Sequence, residues 1–176
     1  MSLVLVTPPD LAVTVAEAKA NGRIDHSEDD ALIATYIRAA LAFAETYTSY
    51  PLVPQTWDLL LDAFPAGEIE IPLGPVASVT SVTYTDPSGA DQTASEFEVD
   101  ASPIDRAWVV PTGSWPATIT TFNAVRVRFV AGRGLTDDQR QAILLLTDYF
   151  YEDRGGEKAI PFAVEAMLGL HRRMFV

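Results

Sequence analysis

Proline divides this chain into three parts. Nine of its 12 prolines fall between Pro51 and Pro116, whereas residues 10–50 and 117–160 contain none. Proline lacks a backbone donor and its ring clashes with the preceding helical turn, so helix interiors and central strands exclude it. Long helices therefore belong to the flanks. The middle can hold only short elements separated by turns.

The flanks carry the expected helical signals. Thr14 followed by Glu17 forms a capping-box signature, which predicts a short helix over 15–21 that stops at Asn21-Gly22. Ser27 and Asp30 repeat the pattern before a longer helix over 28–49, in which Leu32, Ile33, Tyr36, Ile37, Ala40, Leu41, Ala44 and Tyr47 make one apolar stripe. Phe43 and Leu52 add apolar surface beyond that stripe, and both are candidates for a contact between subunits. In the last part, Thr136 and Gln139 open a helix with Ile143, Leu144, Thr147, Phe150 and Tyr151 on one face, closed by Gly155-Gly156. Pro161 suits the first position of a final helix bearing Val164, Met167, Leu168 and His171.

Between these flanks the chain reads as strands. Gln55–Asp62, Glu68–Ile71, Val79–Thr85, Glu96–Asp100, Ala107–Val110 and Val125–Val130 are short, rich in β-branched and aromatic residues, and separated by turn signals such as Asp86-Pro87-Ser88-Gly89. The expected fold is α+β: one domain over 1–176, helical over 14–50, with a small antiparallel β region inserted over 54–131 and helices again over 136–172.

Hydrophobic residues make up 48% of the 176 positions and charged residues 20%, which excludes the disordered class. No apolar run reaches 18 residues, and MSLVLVTPPD lacks the basic start of a signal peptide. The expectation is a soluble chain without a membrane partner. Absence of cysteine excludes disulfides, thiolate metal sites and cysteine nucleophiles, and fits a reducing compartment. The formal charge of −12 opposes tight binding to a phosphate backbone. His171–Val176 departs from this balance, with Arg172 and Arg173 but no acid, and ends on Met174, Phe175 and Val176. Such a basic, apolar end suits docking.

Three stretches invite chemistry, and each has a plainer explanation. VRVRFVAGRG followed by a helix start evokes a phosphate cradle, but Asp137 stands where a third glycine would be needed, and Asp138 follows it. Two carboxylates in the first helical turn occupy the end that phosphate requires. Arg126 and Arg128 alternate with Val125, Val127 and Phe129, which predicts a solvent face or a partner contact on an edge strand. The run Asp25-His26-Ser27-Glu28-Asp29-Asp30 is a helix cap; neighbours in one segment cannot adopt the geometry of a Ser-His-Asp relay. Glu68 and Glu70, and Glu152 with Asp153 and Arg154, read as solvated surfaces, leaving no catalytic, metal or cofactor site. Trp57, Trp108 and Trp115 read as core or interface aromatics, with a platform for a small ligand or glycan as the alternative.

Six stretches in order, LVTPP, AEAK with RID and its acidic cap, QTWDLLLDAFP, SVTSVTYTDPSG, AVRVRFVAGRG and RQAILLLTDYFYEDRG, cover most of the chain. In these it resembles the head-to-tail connector, or adaptor, proteins of tailed bacteriophages and phage-like gene transfer agents. The resemblance implies a structural subunit without catalysis or cofactor, assembled in the bacterial cytoplasm into the neck of a virion or virion-like particle. About a dozen copies would ring the channel below the portal protein, pass DNA without reading its sequence, and offer the far side to stopper or tail-completion proteins. A tail-completion or stopper subunit is the alternative structural role. In the connector setting, Arg172, Arg173, Met174, Phe175 and Val176 are candidates for docking on the portal, and Phe43, Leu52, Arg126 and Arg128 for contacts between subunits.

Overall fold

The computed structural model describes residues 1–101, 106–153 and 159–172. The chain divides into two compact units: Met1–Pro9 with Val53–Arg133, and Asp10–Leu52 with Gly134–Val176. Helices and antiparallel strands together give the α+β class expected from the sequence.

The first unit is built from strands β1 (Ser2–Thr7), β2 (Gln55–Leu61), β3 (Ile69–Ile71), β4 (Val76–Thr85), β5 (Asp91–Ala94), β6 (Phe97–Asp100), β7 (Ala107–Pro111) and β8 (Val125–Ala131). They form a five-stranded sheet in the order β1-β2-β8-β4-β5 and a three-stranded sheet in the order β3-β7-β6. Every pairing is antiparallel. Val82, Leu59, Val127, Phe129 and Ala131 from the larger sheet meet Ile69, Ile71, Ala107 and Val109 from the smaller one in a single core. Phe129 is fully buried, and a side chain of that kind contributes about 1.5–3 kcal/mol on leaving water.

Strand β8 shows how the alternation works. Val125, Val127, Phe129 and Ala131 are buried, while Arg126 is exposed and Arg128 half-exposed on the other face. That division matches the sequence reading, but the expected edge position does not: β8 lies between β2 and β4. Side-chain alternation reports which face a residue takes and says nothing of how many neighbours the backbone has. Two strands also escaped the sequence reading. β1 is a short continuous apolar run without alternation, and β5 is the polar return of a hairpin whose turn, Asp86 to Gly89, was foreseen. There are consequently two sheets, and the larger one begins at Ser2, far ahead of residue 54.

Asp86 organises that hairpin. Its carboxylate accepts from Ser88 Oγ at 2.5 Å, Ser88 N at 2.8 Å, Ala90 N at 3.1 Å and Gln92 Nε2 at 3.0 Å. These donors, with the Ser88 hydroxyl foremost, hold its pKa down to about 2.

The second unit contains α1 (Val15–Gly22), α2 (Asp30–Thr48), α3 (Asp137–Glu152) and α4 (Phe162–Gly169). The Thr14 capping box is present: Glu17 N donates to Thr14 Oγ1 at 3.1 Å, and Thr14 N to Glu17 Oε2 at 2.7 Å. At α3, Thr136 N donates to Gln139 Oε1 at 3.0 Å. The Ser27 cap does not form. Asp29 occupies the cap position without a side-chain cap hydrogen bond, and its carboxylate accepts from the Tyr151 hydroxyl at 2.6 Å. Ile33, Ile37, Ala40, Leu41 and Ala44 of α2 are buried with Ala142, Ile143 and Leu146 of α3 and Val164 and Leu168 of α4. α3 ends at Glu152 with Asp153 as its cap; the Gly155-Gly156 stop lies outside the described residues.

Gly132 and Gly134 both have φ near +94°, where L side chains are strained. A Cβ on Gly132 would lie 2.3 Å from the Val53 carbonyl oxygen, whereas one on Gly134 would meet nothing within 4 Å. Gly134→Ala should therefore cost about 1–2 kcal/mol from backbone strain alone, and Gly132→Ala clearly more. Urea unfolding of the two variants measures this; equal losses would contradict the steric account.

Candidate assembly surfaces

The outer face of the five-stranded sheet concentrates charge at one point. Asp58 on β2 lies directly across from Arg128 on β8, and Leu60 from Arg126, so all three charged side chains emerge on one face. Asp58 is buried, and it accepts from Arg128 Nε at 2.8 Å and Nη2 at 2.9 Å, the two-pronged geometry that favours arginine. Arg126 Nε stands 3.6 Å from the same carboxylate. The Asp58 hydrogen bonds and charge raise the Arg128 pKa above its ordinary value. Two guanidiniums share one carboxylate, so a formally positive spot survives at Arg126, whose side chain is 53% exposed. On a chain of formal charge −12 this is a local exception.

Of the other expected interface residues, Phe43 is half-buried on α2 and stacks on Tyr47, with ring centroids 6.1 Å apart. Leu52 is 1% exposed and belongs to the core. Its expected contribution to subunit surface is therefore corrected: beyond the end of α2 the chain turns inward, and Glu45 Oε1 accepts from Leu52 N at 2.8 Å. Arg172 is exposed with its guanidinium 5.6 Å from the Tyr47 ring centroid. Arg173, Met174, Phe175 and Val176 lie outside the described residues.

The chemical candidates disperse into structural contacts. His26 pairs with Glu28 at 3.2 Å, Asp30 with Lys19 at 2.8 Å, and Asp29 with Tyr151. Glu70 pairs with Arg106 at 3.0 Å. Among the described residues, no group of three or more His, Cys, Asp or Glu side chains could hold a metal ion. Trp57 packs against the sheet core, and Trp115 stacks on Phe64 with centroids 4.5 Å apart while donating its Nε1–H to Gly67 O at 2.7 Å. No helix among the described residues is long and apolar enough to cross a membrane.

One polar contact that the sequence reading missed joins the segment after α4 to the first turn of α3. His171 Nε2 lies 2.5 Å from Asp138 Oδ2, and Thr136 Oγ1 donates to the other oxygen of that carboxylate. The Thr136 hydroxyl, and then His171, hold the Asp138 pKa at about 2. A histidine three residues beyond Leu168 is a visible signal; its partner 33 residues away is not.

The described residues thus form a capped helical unit and a unit of two antiparallel sheets. Residues 12–102 match the family described as phage gp6-like head-tail connector proteins. No curated protein matches the chain. A chain in the neck of an empty GTA particle computed with C6 symmetry is 29% identical, with a TM-score of 0.79, over 100% of this chain and 97% of that one. A chain in the virion of a native gene transfer agent (GTA) particle is 30% identical, with a TM-score of 0.79 and the same coverage. A third, in the neck of a native GTA particle computed with C12 symmetry, is 30% identical with a TM-score of 0.75, again over 100% and 97%. The protein belongs to the phage gp6-like head-tail connector family.

Four variants probe these contacts. Asp58→Ala and Arg128→Ala should each lower the unfolding midpoint, and the double variant should lie no lower than the worse single one, since the pair acts as a unit. Additive losses would contradict the pairing. For Asp138, a carboxyl with a depressed pKa stabilises the fold above its unfolded value near 3.8, and that contribution is lost as pH falls toward about 2. Asp138→Asn should flatten the stability profile between about pH 4 and 2; profiles that run parallel would argue against it.

Proposed function

We propose that this protein is a structural subunit of the neck between a phage-type head and its tail, in which about a dozen copies form a ring below the portal and extend the channel for DNA. The observation that carries the proposal is the match along its whole length, at 30% identity, to a chain in a neck reconstructed with twelve-fold symmetry. The far side of the ring would receive stopper or tail-completion proteins. No reaction is part of the role, and assembly would take place in the bacterial cytoplasm.

The charge fits such a wall. About 12 copies at −12 each carry a formal charge near −144. Carboxylates facing the lumen would repel the duplex, and the chain lacks the dense cationic contacts that retain DNA. DNA then slides without being read. Arg126, Arg128 and Phe43 are surface residues suited to contacts between neighbouring copies.

Arg172 to Val176 is the segment proposed to dock on the portal, on the strength of its charge contrast with the rest of the chain. The test is co-sedimentation with portal-bearing heads that lack this chain, using the full chain and a version ending at His171. The full chain should pellet and the truncated one should not, with both folded by circular dichroism. Truncated chain that pellets equally would refute the docking segment. Full chain that ignores heads but binds tails would favour a tail-completion or stopper role.

A further inference from the structure

Strand β1 is an edge of the five-stranded sheet, paired with β2 on one side and with no strand among the described residues on the other. All six of its residues are exposed, and Leu3, Val4, Leu5 and Val6 show 36%, 45%, 42% and 41% of their surfaces. Leu3 and Leu5 lie across from Leu59 and Trp57, on the core face; Val4 lies across from Asp58, on the outer face. The edge is therefore apolar on both faces.

Folded chains that remain single protect such edges with lysine, an inward-pointing charge or extreme shortness. β1 carries no lysine or inward-pointing charge and at six residues spans about 20 Å; its one irregularity is a register shift between Leu5 and Thr7, which leaves Ser2 to Leu5 as a regular edge. The other free edges among the described residues all carry acid: Asp91 on β5, Glu70 on β3, Glu98 and Asp100 on β6. β1 has no ionisable side chain, and Met1–Pro9 contains none. In a chain of −12, an identical and equally acidic neighbour can approach this edge without setting carboxylate against carboxylate.

We infer that the outer edge of β1 adds to a strand edge of a second copy of this chain, so that backbone hydrogen bonds join adjacent subunits. The inference rests on the ring proposed above. Rotational symmetry of that kind requires heterologous contacts, each made from two different patches of the same subunit. An uncharged strand meeting one of the acid-bearing edges β3, β5 or β6 satisfies both requirements. Main-chain bonding supplies affinity while the apolar side chains on either face exclude water.

The test replaces Val6 with a photo-crosslinking amino acid in assembled particles, followed by peptide mapping of the product. A species of twice the chain mass, linked to residues of β3, β5 or β6, is expected. Val4→Lys in the same background, with its unfolding midpoint checked, should abolish that species by placing charge on the edge. Links to a different neck protein, links between two β1 strands as in a two-fold dimer, or no link in particles that contain the chain would each overturn the inference and leave the connector role standing. Absence of the chain from the neck would overturn both.

Discussion

Strand β8 carries Val125, Val127 and Phe129 into a core and Arg126 and Arg128 out of it, so a slip of one residue would bury two guanidiniums. Its position between β2 and β4 makes that constraint govern the whole larger sheet. β2 answers it with Leu59 on the inner face and Asp58 on the outer. The Asp58 bonds to Arg128 then fix register from the polar side, as Phe129 does from the apolar side. Once this pair of strands is set, β1 and β4 can attach only on their remaining edges, and one end of the sheet is left bare.

The helical unit solves its packing by different means. α2 and α3 bring buried aliphatic faces together, and capping boxes at Thr14 and Thr136 define where α1 and α3 begin. Polar bonds across distant sequence, Tyr151 to Asp29 and His171 to Asp138, join helix ends to their neighbours. Among the described residues, neither unit holds a group of three or more His, Cys, Asp or Glu side chains that could bind a metal ion. Charged groups are held in pairs such as Lys19 with Asp30 and Glu70 with Arg106.

How much of this was legible follows from what each signal measures. Helical spacing and caps report local backbone preferences, so α1, α2 and α3 were found within a few residues of their observed bounds. Proline marked off the span that holds β2 to β8 but not β1, and alternation gave the faces of β8. What alternation cannot carry is neighbour count, hence the mistaken edge position for Arg126 and Arg128. Leu52 looked like surplus apolar surface because the inward turn after α2 depends on a Glu45 side chain seven residues earlier. β1 was invisible for a related reason: four apolar residues, Leu3 to Val6, without a period of two become a strand only because β2 offers an edge.

In the proposed neck, this polypeptide would be a repeated wall element around a passage. Electron cryomicroscopy of the assembled particle tests it most directly, with density traced for this chain against the axis of the neck. The account predicts about a dozen copies in a closed ring below the portal, with unpaired carboxylates toward the lumen. Density for the chain elsewhere in the particle, or as isolated copies that close no ring, would contradict it.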